Sequence, residues 1–213
     1  MNAIFQMLMA LVFANLVSQA GAQDLGTKKG KELFEINCMG CHQEGADGKP
    51  GFAPSLSNKE FLSMVSADDL ARTIREGVEE TNMTPRKDLG EENIRAIVSY
   101  LQSLSPLSGT RAKEVASQPP SKGNAKSGKV LFAEICSDCH GDAGTGFDAG
   151  GSGPAIGTHG FLNLETDGYI RTTIKEGRSN TKMRGFSGPS GLANLSDPEI
   201  EDIIAYLRTV PGK

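Results

Sequence analysis

The sequence predicts an all-α protein in which one unit is used twice. Three observations carry this. Residues recur in register: Gly30, Leu33, Phe34, Cys38, Cys41 and His42 return 98 positions later as Gly128, Leu131, Phe132, Cys136, Cys139 and His140. The offset then becomes 100, relating Pro54, Phe61, Leu62, Thr73, Ile74, Glu76, Gly77 and Met83 to Pro154, Phe161, Leu162, Thr173, Ile174, Glu176, Gly177 and Met183. It ends at 106, where Ile94, Ile97, Tyr100 and Leu101 meet Ile200, Ile203, Tyr206 and Leu207. Second, the ends of both units carry the i, i+3, i+4, i+7 stripe of an amphipathic helix, Ile94, Ile97, Val98, Leu101 and Ile200, Ile203, Ile204, Leu207. Third, strand-like alternation is negligible.

Taken in order, residues 1–22 read as a secretory signal. Ala3 to Val17 is mostly apolar, and Ala20-Gly21-Ala22 fits a small-residue cleavage pattern. The n-region has no Lys or Arg, and an uncleaved membrane tether is the alternative reading. The first unit, 23–105, then predicts three main helices. One runs from about Lys28 to Asn37. A second starts at the Ser66/Asp69 capping-box pattern and stops at Gly77. The third carries the stripe. Residues 106–124 are rich in Ser, Pro, Lys and Gly and read as a linker, stiffened at Pro119-Pro120. The second unit, 125–213, repeats the plan from Ala125 to Ile135, from Thr166 to Gly177, and from Ser196, with Glu199 and Pro198 marking the helix start.

The chemistry lies in Cys38-Met39-Gly40-Cys41-His42 and Cys136-Ser137-Asp138-Cys139-His140. Cys-x-x-Cys-His is the c-type haem attachment signature. Two thiols add across the vinyl groups of one haem, and the following His supplies a neutral imidazole to the iron. Two covalently attached haem c groups follow. A thioredoxin-like pair would need a β-α-β setting, and a zinc site would need its Cys pairs closer together. All four cysteines of the chain are consumed, and none is left for a disulfide or nucleophile. Units this small bury little apolar surface, so each haem completes a core. A net charge of −4 argues against a nucleic-acid partner.

Elimination finds a second axial ligand. The second unit holds one methionine, Met183, and the repeat maps it onto Met83. Methionine opposite histidine raises a haem's reduction potential. His159, where the first unit has Lys59, is an alternative ligand to the second iron.

With these residues the chain resembles the tandem dihaem class I cytochromes c of bacterial periplasms. The resemblance spans nearly all of 23–213. It implies three main helices around one haem in each domain. It further implies that the carbonyls of Pro54 and Pro154 orient His42 and His140, and that Gly30, Phe34, Gly128 and Phe132 make the contact between first and last helices. The implied function is one-electron transfer in the periplasm, with a dehydrogenase, a membrane complex or a terminal oxidase or reductase as partner. A permanent dehydrogenase subunit and a dihaem peroxidase are the alternatives. The second unit departs from the first by a longer glycine-rich loop between His140 and Pro154 and by six extra residues between Met183 and Ile200. Charges near the ligand methionines sum to −1 for Gly77 to Asp88 and +3 for Gly177 to Phe186. Cations stabilise the ferrous state, so the second haem is expected to have the higher potential.

Overall fold

The first helix of each copy lies across the last one, and a glycine sits at each crossing. The computed structural model describes residues 25–146 and 151–211; the signal-peptide reading of 1–22 lies outside the described residues. Helix α1 covers 25–37 and crosses α5 (Gly90–Ser103), while α7 (Ala125–Ile135) crosses α11 (Asp197–Leu207). A Cβ on Gly30 would stand 1.9 Å from the Ala96 carbonyl oxygen, and one on Gly128 would stand 1.8 Å from that of Asp202. No side chain fits, so the backbones touch. Beside each glycine an aromatic pair closes the crossing, Phe34 with Tyr100 at 5.4 Å and Phe132 with Tyr206 at 5.3 Å, both tilted by 54°. The contact that the resemblance implied is present in both copies.

Between these helices the chain forms α2 (Met39–His42), α3 (Lys59–Met64) and α4 (Ala67–Glu76) in the first copy, and α8 (Ser137–His140), α9 (His159–Leu164) and α10 (Asp167–Glu176) in the second. The capping boxes of Ser66 with Asp69 and Ser196 with Glu199 both form. Gly77 and Gly177 terminate α4 and α10 at φ 72°, where a Cβ would be strained. The short helices α3 and α9 escaped the sequence reading because six residues are too few to show a period. Among the described residues there is no strand, only isolated bridges. None of their helices is long and apolar enough to cross a membrane.

Residues 106–124 are more than a spacer. Ala112–Ala116 form α6, with Ala112 and Val115 buried. Ahead of it, Gly109 N and Arg111 N donate to the carbonyls of Leu62 and Ser63 at 2.8 and 2.9 Å. Arg111 forks onto Glu176 at 2.7 and 2.8 Å. Beyond α6, Ser121 Oγ donates to Glu201 O at 2.8 Å and Asn124 N to Asp202 Oδ1 at 2.6 Å. The segment straps α3 to α10 and α11. Its polar composition concealed this, because two small apolar side chains are enough to anchor one turn.

Glu165 stands where the first copy has Val65. Burial pushes its carboxyl up to about 7, Asp69 adds to the rise, and Arg178, Arg72 and Arg208 oppose it. The folded chain therefore holds this proton more tightly than the unfolded chain. The resulting stability is complete below about 4.5 and is lost as pH rises through 7. Glu165→Gln should raise unfolding stability at pH 8 by about 1–3 kcal/mol and change little at pH 4. Denaturant titrations at the two pH values check this; a parallel pH dependence in both proteins would contradict it.

Candidate haem-binding sites

Each attachment motif is a single turn of helix at the end of a longer one. Cys38 N and Cys136 N still bond to Phe34 O and Phe132 O, at 2.8 and 2.9 Å, so the motif inherits its direction from α1 or α7. No disulfide joins the four cysteines; Cys38 and Cys136 are half-buried, and Cys41 and Cys139 are exposed. Burial pushes the Cys136 thiol up to about 12, with Cys139 adding to the rise. Burial also raises Cys38, against the pull of Arg86. A reactive disulfide-exchange thiol is shifted the other way. Among the described residues no three His, Cys, Asp or Glu side chains converge on a cation site.

His42 and His140 are buried, 8% exposed each. The Nδ1 of His42 lies 3.0 Å from Pro54 O, and that of His140 lies 2.8 Å from Pro154 O. A carbonyl only accepts, so Nδ1 carries the proton and Nε2 is left with its lone pair. Burial holds both histidines below their ordinary value, the proline bonds opposing it, with Arg178 lowering His140 further. Both rings are therefore neutral and aimed through one nitrogen, as an iron ligand must be. Two thiols and such an imidazole on one turn fit a covalently held haem.

Two residues of this arrangement went unnoticed in the sequence. Gly48 and Gly146, related by the 98-residue offset, lie against the proline peptides. A Cβ on either would come within 2.5 Å of the Pro54 or Pro154 carbonyl carbon. The register that found the cysteines could have found these glycines. In the second copy Gly153 also lies against the imidazole, where a Cβ would be 2.8 Å from His140 Cε1. The first copy has Ala53 at that position. The rest of the longer loop, 147–150, lies outside the described residues.

The methionine loops share their main bonds. Val78 N donates to Met83 O at 2.8 Å, and Arg178 N to Met183 O at 2.6 Å. Thr81 Oγ1 donates to Val78 O at 2.7 Å and accepts from Met83 N at 3.1 Å. Thr181 does the same with Arg178 O, at 2.8 Å, and Met183 N, at 3.1 Å. Glu80 and Asn180 take the same left-handed turn, at φ 62° and 60°. Each loop rejoins its helix where Arg86 N or Phe186 N bonds to Ile74 O or Ile174 O, at 3.0 and 2.9 Å. The threonines were missed although they share the 100-residue register. Met83 and Met183 are both half-buried, and Met183 packs against the core. The extra residues between Met183 and Ile200 fall after this shared turn. They form a separate loop in which Ser187 bridges to Leu195.

His159 is exposed as the first residue of α9, and its backbone N–H donates to Glu80 of the other copy at 2.8 Å. Of the three cations counted near Met183, Lys182 and Arg184 are exposed. Arg178 is turned inward: its guanidinium lies over Phe61 and Tyr169, at 5.1 and 5.6 Å, and bonds to the Tyr169 hydroxyl.

The chain matches the family model for cytochrome C oxidase, cbb3-type, subunit III, over 26–101 and again over 123–207. It is 32% identical to the cbb3-type cytochrome c oxidase subunit CcoP of Rubrivivax gelatinosus, an alignment covering 93% of this chain and 60% of that protein. It is 27% identical to the cbb3-type cytochrome c oxidase subunit FixP of Bradyrhizobium diazoefficiens, covering 88% and 62%. The chain thus spans less than two thirds of either relative. Its fold is similar to a chain of the Kuenenia stuttgartiensis reducing HAO-like protein complex Kustc0457/Kustc0458. There the TM-score is 0.50 at 22% identity, over 86% of this chain and 96% of that one.

Proposed function

Since the chain belongs to the cbb3-type cytochrome c oxidase subunit III family, with two cytochrome c domains carrying two haem c groups, we propose that it is an electron carrier without a catalytic step of its own. Each bound haem supplies a reversible one-electron couple. The chain's residues do the rest. Cys38 and Cys41, with Cys136 and Cys139, fix the groups covalently. His42 and His140 would ligate through Nε2, with Pro54 and Pro154 holding their tautomer. Met83 and Met183 would supply the second ligand to each iron. The domains are 23–105 and 125–213, joined by the strap 106–124.

The observation that carries this reading is the double match: a proline-bound histidine and a threonine-braced methionine turn occur in each copy. A histidine and a methionine held on each iron would leave no coordination position open to a substrate. That favours a carrier over a peroxidase. The names of the relatives favour a terminal oxidase as the partner, reached as an attached subunit or by docking on a membrane complex. A dehydrogenase or a reductase is the other partner class. The motif chemistry supports a periplasmic location, with residues 1–22 as an export signal or a tether.

Redox titration of the full holoprotein tests the proposal. Two one-electron steps are expected, with neither ferric haem binding cyanide readily at neutral pH. Prompt cyanide binding together with peroxide turnover would overturn it in favour of the peroxidase reading. The second haem should titrate higher at low salt, by a few tens of millivolts, because Lys182 and Arg184 remain at its rim and exposed charges are strongly screened.

A further inference from the structure

The two methionine loops do not rest on their own domains alone. Each is gripped by the opposite copy at equivalent positions. In the first crossing, Ser179 N and Ser179 Oγ donate to Glu60 Oε2 at 3.0 and 2.8 Å, and Asn58 Nδ2 donates to Ser179 O. In the second, Gly160 lies against Glu79, where a Cβ would stand 2.2 Å from the Glu79 carbonyl oxygen, and the neighbouring Glu80 accepts from His159 N. Positions 60 and 179 are related to 160 and 79 by the same 100-residue offset that relates the copies. Gly51 N also donates across the copies, to Ser152 O at 3.2 Å.

Ser179 belongs to the turn that closes on Met183. That turn is shut by Arg178 N to Met183 O at 2.6 Å and Met183 N to Thr181 Oγ1 at 3.1 Å. A pull on Ser179 is therefore a pull on the methionine backbone four residues on. Glu79 stands in the same relation to Met83.

We propose that Glu60 and Gly160 are positioning residues that act across the domain boundary, so that each domain holds the axial methionine of the other in place. The proposal rests on the ligand roles of Met83 and Met183 given above. Glu60 does this through a charged acceptor carrying two hydrogen bonds. Gly160 does it through a close backbone fit that only glycine permits. Loosening either should let the opposite domain's methionine leave its iron more often, and an added ligand should enter there faster.

The test uses the full ferric holoprotein, with imidazole as the entering probe and the Met83→Ala and Met183→Ala chains to identify each haem. Glu60→Ala should speed imidazole binding at the second haem by about tenfold, the scale of one lost charge-assisted hydrogen bond, and leave the first haem unchanged. Glu60→Gln, which keeps an acceptor, should restore most of the native rate. Gly160→Ala should speed binding at the first haem alone. General loosening of the fold would act on the mutated domain or on both haems, and that pattern overturns the proposal, as does no change in either variant. If Met83→Ala and Met183→Ala leave the far-red absorption intact, the ligand assignment itself has failed; if they remove it and the clamp variants have no effect, only the clamp has.

Discussion

Met183→Ala is expected to remove about half of the ferric far-red charge-transfer band and to lower one of the two reduction potentials by on the order of 100 mV or more, since axial ligand identity is the main protein lever on haem potential. Met83→Ala should remove the other half and lower the other potential. The expectation rests on the identity of the two turns. Each methionine has its carbonyl bonded to the residue that follows the helix-ending glycine, and its N–H bonded to a threonine hydroxyl. A methionine that merely filled space would not need the same braced backbone in both copies. Met64, which does fill space, is buried in α3, and its counterpart is Leu164. Absorption spectra and redox titration of the two variants read the result. A full band in either variant would remove that methionine from the ligand set.

The second large effect is structural. Gly128→Val should cost about 3 kcal/mol or more, because the new side chain would start 1.8 Å from the Asp202 carbonyl oxygen and neither helix can yield locally. Prying α7 from α11 would also part Phe132 from Tyr206, now 5.3 Å apart between ring centres. Gly30→Val should act likewise on α1 and α5. Thermal unfolding of the holoproteins measures both. A fall of less than about 1 kcal/mol would mean that the crossing tolerates a Cβ, contrary to the packing seen here.

Much of this protein can be read from its sequence because a haem imposes its demands locally. The thiols and the histidine must share one helical turn, so Cys38, Cys41 and His42 announce themselves by spacing. Duplication then doubled the signal: a second Met-bearing turn in the same register separates a ligand candidate from a core residue such as Met64. The resemblance further implied the proline carbonyls at Pro54 and Pro154, and both bonds are present. Periodicity and capping residues located the long helices because each obeys rules that act within a few residues.

What the sequence could not order was whatever depends on two distant segments meeting. The contacts of Glu60 with Ser179 and of Gly160 with Glu79 join residues that have no local reason to be special. Arg178 counted as a rim cation until the fold laid it over Phe61 of the other copy. The strap around Val115 looked like a spacer until α10 provided the surface that buries it. Local chemistry is written in spacing and period, which a single chain displays directly. The domain boundary is decided by complementary shape and by desolvation of charges, and these exist only once both copies have folded and met.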